Sequence, residues 1–142
     1  FRDITLLADE MGTPVSSTPT SHPETASFSP DRPFLDQKFD LVFCDGQVFR
    51  THERLEYREP FEASRLSTAQ LVLGLQRVRS GGTMVILCHR ADAWRSVHLM
   101  YTFAALADNV ELFKPQKGHK TRSSFYLVAT AGGTRGAPPA NR

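Results

Sequence analysis

Four short apolar runs and two amphipathic stretches alternate along residues 39–130. Phe39-Asp40-Leu41-Val42-Phe43-Cys44 is nearly unbroken in hydrophobicity and stops at Asp45-Gly46, a pair that favours a turn. Continuous apolarity predicts a central strand covered on both faces. Ser67-Thr68-Ala69-Gln70 matches the capping-box pattern. Leu71, Val72, Leu75 and Val78 follow it at helical spacing, which predicts a helix to about Arg79. Ser80-Gly81-Gly82 is expected to end that helix, because glycine accepts the left-handed geometry of a helix end. Thr83 to His89 predicts a second buried strand. Asp92 is a candidate N-cap, and Trp94, Val97, Tyr101 and Leu106 supply the apolar stripe of a second helix, with Trp94 and Tyr101 expected in the core. Val110-Glu111-Leu112-Phe113 predicts a third strand and Ser124 to Ala129 a fourth.

The flanking segments read differently. Ile4 to Met11 suits one or two helical turns, ended by Gly12. Five prolines among residues 13–35, with Ser16, Ser17 and Ser21, forbid a regular element there and predict a long irregular loop. Arg50 to Glu62 is charge-dense and reads as an exposed loop. Residues 131–142 are Gly/Pro-rich and are expected to be a disordered tail.

The predicted order is strand, helix, strand, helix, strand, strand. Strands joined through helices imply right-handed crossovers and a parallel α/β sheet with helices on its faces. The last two strands are separated by a loop alone, which permits an antiparallel pair at one end of the sheet. In open sheets of this kind ligands sit outside the carboxyl ends of the strands. That rule points first to Asp45 and next to His89 and Arg90.

Composition narrows the function classes. At 142 residues the chain has room for one ordinary domain, expected over residues 1–130. No apolar run approaches the ~20 residues that span a bilayer, so no membrane partner is expected. Cys44 and Cys88 are too few for a disulfide framework or a four-thiolate zinc site, and each lies in an apolar run where a buried, reduced thiol is the default. No metal site is expected. The segment after Phe1 has neither a basic region nor an apolar run of signal-peptide type, so an intracellular setting is expected. The formal charge of +2 averages a net of −6 over residues 1–62 and +8 over residues 63–142. The basic second half points to an anionic partner.

Four segments carry a family resemblance. They are Phe39-Asp40-Leu41-Val42-Phe43-Cys44-Asp45-Gly46-Gln47, Arg79-Ser80-Gly81-Gly82-Thr83-Met84-Val85, Leu112-Phe113-Lys114-Pro115, and Arg122-Ser123-Ser124-Phe125-Tyr126-Leu127-Val128. In this order and spacing they resemble the FtsJ-like ribose 2′-O-methyltransferases, with the fungal branch closest. The resemblance implies a Rossmann-like methyltransferase sheet whose last strand is antiparallel, S-adenosylmethionine as cofactor and RNA as substrate. It also implies that these residues form the C-terminal half of the domain, since no G-x-G pattern precedes Gly46 and no lysine matches the family's first catalytic one. A half-sheet would expose an apolar edge, so self-association through that edge is a further expectation.

The resemblance assigns site residues one by one. Asp45 matches the family's catalytic Asp, which sits near the methyl donor. Asp3 resembles the acidic position that contacts the donor's adenine, with Ile4 supplying a neighbouring backbone N–H. Leu87 stands where the family has its second catalytic Lys, and Ser124 where it has a Glu. Of the catalytic set only Asp45 is kept, so a non-catalytic RNA-binding module is the alternative reading. The loop Lys114–Arg122 looks like an RNA backbone contact, through Lys114, Lys117, Lys120 and Arg122, with Arg90 adding charge. Strand alternation places one of Phe125 and Tyr126 in the core.

Overall fold

The computed structural model describes residues 34–47, 62–117 and 119–131. The helix and the loop expected before residue 34, with Asp3 and Ile4, lie outside the described residues, as do most of the charged segment 50–62 and the tail from Gly132. The chain forms two compact units. One comprises residues 1–37 and 46–76, the other residues 38–45 and 77–142.

In the first unit the described element is the helix α1, Glu62–Arg77. It begins five residues before the capping box that the sequence suggests. Ser67 lies inside the helix, and its hydroxyl donates to the Ala63 carbonyl at 2.7 Å, the usual way a mid-helix serine satisfies itself. Gln70 is also taken elsewhere. Its Nε2 donates to the Gly46 carbonyl at 3.0 Å, and its Oε1 accepts from the Gly46 N–H at 2.7 Å. A Cβ at Gly46 would crowd the end of the Gln70 side chain, which would have to shift and give up this bonding.

Among its described residues the second unit has a four-stranded sheet and one helix. Its strands are β1 (Phe39–Cys44), β2 (Val78–His89), β3 (Asn109–Phe113) and β4 (Ser124–Thr130), and α2 (Trp94–Leu106) connects β2 to β3. The order across the sheet is β1-β2-β4-β3. β1 runs parallel to β2, while β4 runs antiparallel to both β2 and β3. The α2 crossover thus skips one position, and β4 fills the gap with its direction reversed. This is the Rossmann-like methyltransferase arrangement with an antiparallel last strand. β3 and β4 form the expected antiparallel pair at one end of the sheet, with β4 as its inner member.

One face of this sheet is closed. Met84, Ile86 and Cys88 of β2 pair with Ala129, Leu127 and Phe125 of β4, and all six are buried, with Leu127 at 0% exposure. Cys44 of β1 joins them opposite Ile86. Both cysteines are free thiols, as expected. Burial pushes each up to about 11 from an ordinary 9.0.

Three sequence expectations are corrected here. β1 is the edge strand of the four rather than a central one, and Phe39, Leu41 and Phe43 on its other face are exposed, Phe43 to 63%. Ser80-Gly81-Gly82 does not end a helix. It belongs to β2, which starts at Val78 and bulges against β1, since Phe39 pairs with Val78 but Leu41 with Thr83. Gly81 takes a φ of 78°, and a Cβ on Gly82 would meet the carbonyls of Arg79 and Asp40. The stripe Trp94, Val97, Tyr101, Leu106 faces out instead of in, with Trp94 77% and Tyr101 75% exposed. The buried positions of α2 are Ser96 and Phe103. The small Ser96 donates its hydroxyl to the His89 carbonyl at 2.6 Å, so the helix is rotated to seat a small polar residue beside the strand end.

Candidate active site at the carboxyl edge of the sheet

The second face of the sheet carries the polar groups of the candidate site. Cys44 lies opposite Ile86, so Asp45 is next in line beside Leu87, and Leu87 pairs in turn with Tyr126. The three residues form a row across β1, β2 and β4 at the carboxyl ends of the two parallel strands. Tyr126 reaches across Leu87 and donates its hydroxyl to Asp45 Oδ2 at 3.1 Å. Partial burial first, and then the adjacent carboxylate, hold the Tyr126 phenol above its ordinary value. The bond fixes the orientation of an otherwise exposed carboxylate.

Two neighbours extend the row. The His119 ring tilts against the Tyr126 ring with centroids 5.5 Å apart. His119 Nδ1 and the buried Ser124 hydroxyl share a hydrogen bond of 2.6 Å. Alternation accounts for this grouping: Ser124 and Tyr126 are two apart on β4, and the intervening Phe125 goes to the core. Tyr126 and His119 are the members that sequence reasoning missed. The signal available was the same alternation, which sends Tyr126 to the face opposite Phe125.

The basic loop is a built structure. Lys114 Nζ donates to the Ser124 carbonyl at 2.7 Å and also to the Arg122 carbonyl, stapling the two ends together. The Arg122 N–H closes a turn on the His119 carbonyl at 3.1 Å. Lys117, Lys120 and Arg122 are exposed. The loop is tied to the end of β2 through the Arg90 N–H, which donates to the Ser123 carbonyl at 3.0 Å. Arg90 has a φ of 52°, a conformation that non-glycine residues adopt rarely and mostly where surrounding structure dictates it. Its guanidinium pairs with Asp92 at 3.0 Å, which draws the Asp92 carboxyl below its ordinary value. Asp92 is therefore not the N-cap of α2. That position is Ala93, which offers no side-chain bond. The edge thus brings together Asp45, Arg90 and the loop residues 114–122. Asp3 and Ile4 lie outside the described residues.

For the methyl donor that the resemblance implies, the test is the donor set. An oriented carboxylate at the end of a parallel strand suits a sulfonium cation, and the neighbouring cations suit a polyanionic acceptor. Among the described residues no cluster of three metal-type ligands occurs.

Comparisons with known proteins bear on the same region. No curated protein matches the chain at a significant level. Nineteen solved chains do. One, a Plasmodium falciparum protein assigned as a ribosomal RNA methyltransferase, is 18% identical with a TM-score of 0.49, over 69% of this chain and 49% of its own. This chain spans about half the length of that protein. The family model for FtsJ-like methyltransferases matches residues 13–131, a stretch that includes every described strand and both described helices. The chain belongs to the FtsJ-like methyltransferase family.

Proposed function

We propose that this chain is part of an S-adenosylmethionine-dependent methyltransferase acting on the ribose 2′-hydroxyl of RNA, with Asp45 as its catalytic carboxylate. One observation carries the proposal: Asp45 stands at the carboxyl end of β1, oriented by Tyr126, on the edge that also carries the basic loop. S-adenosylmethionine, when bound, supplies an electrophilic methyl group on a sulfonium centre. Asp45 would face that positive charge and accept the hydrogen bond of the ribose hydroxyl. Tyr126 donates a hydrogen bond to one oxygen of that carboxylate. Lys117, Lys120 and Arg122 would neutralise phosphates on either side of the target nucleotide. Asp3 and Ile4 would complete the donor site at the adenine.

Leu87 favours a second reading. It occupies the middle of the Asp45–Tyr126 row with a side chain that neither carries charge nor moves a proton. A non-catalytic RNA-binding module that keeps the methyltransferase fold fits that residue. Calorimetric titration of the full-length protein with S-adenosylmethionine separates the two. Binding that weakens in Asp45→Ala supports the enzyme. No heat at millimolar donor, with RNA still bound, supports the module.

A further inference from the structure

The outward stripe of α2 begins at the carboxyl edge, and it begins with an aromatic platform. Trp94 is the first residue of the helix, and its indole is 77% exposed. One turn later His98 stacks on it, with ring centroids 6.3 Å apart and planes inclined by 27°. Two bonds fix the platform to the end of β2. The Ala93 N–H donates to the Arg90 carbonyl at 2.9 Å, and Ser96 Oγ donates to the His89 carbonyl. The helical turn that carries the indole is therefore held to the strand end before any partner arrives, which lowers the entropy lost on binding.

The charge around it selects the partner. Arg90, Arg95, Lys117, Lys120 and Arg122 lie in the β2–α2 turn, the first turn of α2 and the basic loop, against the carboxylates of Asp45 and Asp92. The Arg90–Ser123 backbone bond joins that turn to the loop. An exposed aromatic surface bordered by cations matches a single-stranded nucleic acid, whose bases stack and whose phosphates pair with basic side chains. From this geometry we propose that Trp94, backed by His98, is a nucleobase-stacking site for a single-stranded RNA segment next to the nucleotide at Asp45. The inference rests on the RNA reading above and adds to it a contact that no charge argument supplies.

Trp94 is the only tryptophan of the chain, so its fluorescence reports this site alone. The full chain is titrated with a 3′-labelled, mixed-sequence single-stranded RNA of about twelve nucleotides, within the usual range of site sizes. Indole emission and label anisotropy are followed together. The expected result is quenching of Trp94 in step with the rise in anisotropy, about tenfold weaker binding in Trp94→Ala, and near-normal binding in Trp94→Phe. The salt dependence of affinity should be unchanged in Trp94→Ala but shallower when Lys117, Lys120 and Arg122 are replaced together. Circular dichroism establishes that each variant is folded. Anisotropy that rises with no change in Trp94 emission, or with equal affinity in Trp94→Ala, overturns the stacking site and leaves the RNA reading standing. No binding by either signal overturns both. Quenching that depends on protein concentration without RNA would assign the platform to a second copy of the chain, and likewise ends the proposal.

Discussion

Two rows of residues cross the sheet one position apart and do opposite things. Ile86 and Leu127, with Cys44 beside them, point to the closed face and are buried. Leu87 and Tyr126, with Asp45 beside them, point to the other face and carry a phenol–carboxylate bond. The strands are the same, and only the parity differs. One residue of register separates the buried positions from the positions of the candidate site. The first row should therefore be sensitive in stability and the second in function.

The largest expected effect is at the centre of the closed row. Leu127→Ala should destabilise the protein by about 3 kcal/mol through lost burial and a residual cavity, measured by urea unfolding. Gly82→Ala should cost about 1–3 kcal/mol, because the carbonyls of Arg79 and Asp40 are backbone atoms that cannot withdraw from a new Cβ. Tyr126→Phe removes a single hydrogen bond on the open face and should cost about 1 kcal/mol or less. A larger loss there would show that the second row is structural after all. Both rows also contribute to a pH dependence. The folded state binds the protons of Cys44 and Cys88 more tightly than the unfolded chain does, since each thiol is pushed up to about 11. That stability is fully present below about pH 9 and is lost as pH rises through about 11. Tyr126, also raised, acts in the same direction above its ordinary range. Unfolding midpoints should fall across that window, and Cys88→Ala should flatten the fall.

Much of this architecture was legible in the sequence because it is written in local pattern. The four apolar runs became strands, and β3 and β4 differ from the expected bounds by one residue each. What failed depended on contacts between distant residues. Ser80-Gly81-Gly82 carries the same glycines whether it ends a helix or bulges a strand, and only the close approach of the Asp40 carbonyl distinguishes the two. The stripe of α2 is apolar in either orientation, but Ser96 and Phe103, not Trp94 and Tyr101, face inward. For the site, Asp45 followed from its place at a strand end. Tyr126 did not, because its bond spans 81 residues of sequence and depends on β4 entering the sheet beside β2.

The role proposed for Asp45 at the carboxyl edge is methyl transfer to RNA. Transfer of a tritiated methyl group from S-adenosylmethionine to ribosomal RNA transcripts by the full-length protein, read as alkali-resistant dinucleotides, tests it most directly. Wild-type protein should place label at ribose 2′-oxygens, and Asp45→Ala should lose about 100-fold or more of it while keeping its stability within about 0.5 kcal/mol of wild type. Unlabelled RNA with the wild-type protein, or equal labelling by Asp45→Ala, would contradict it.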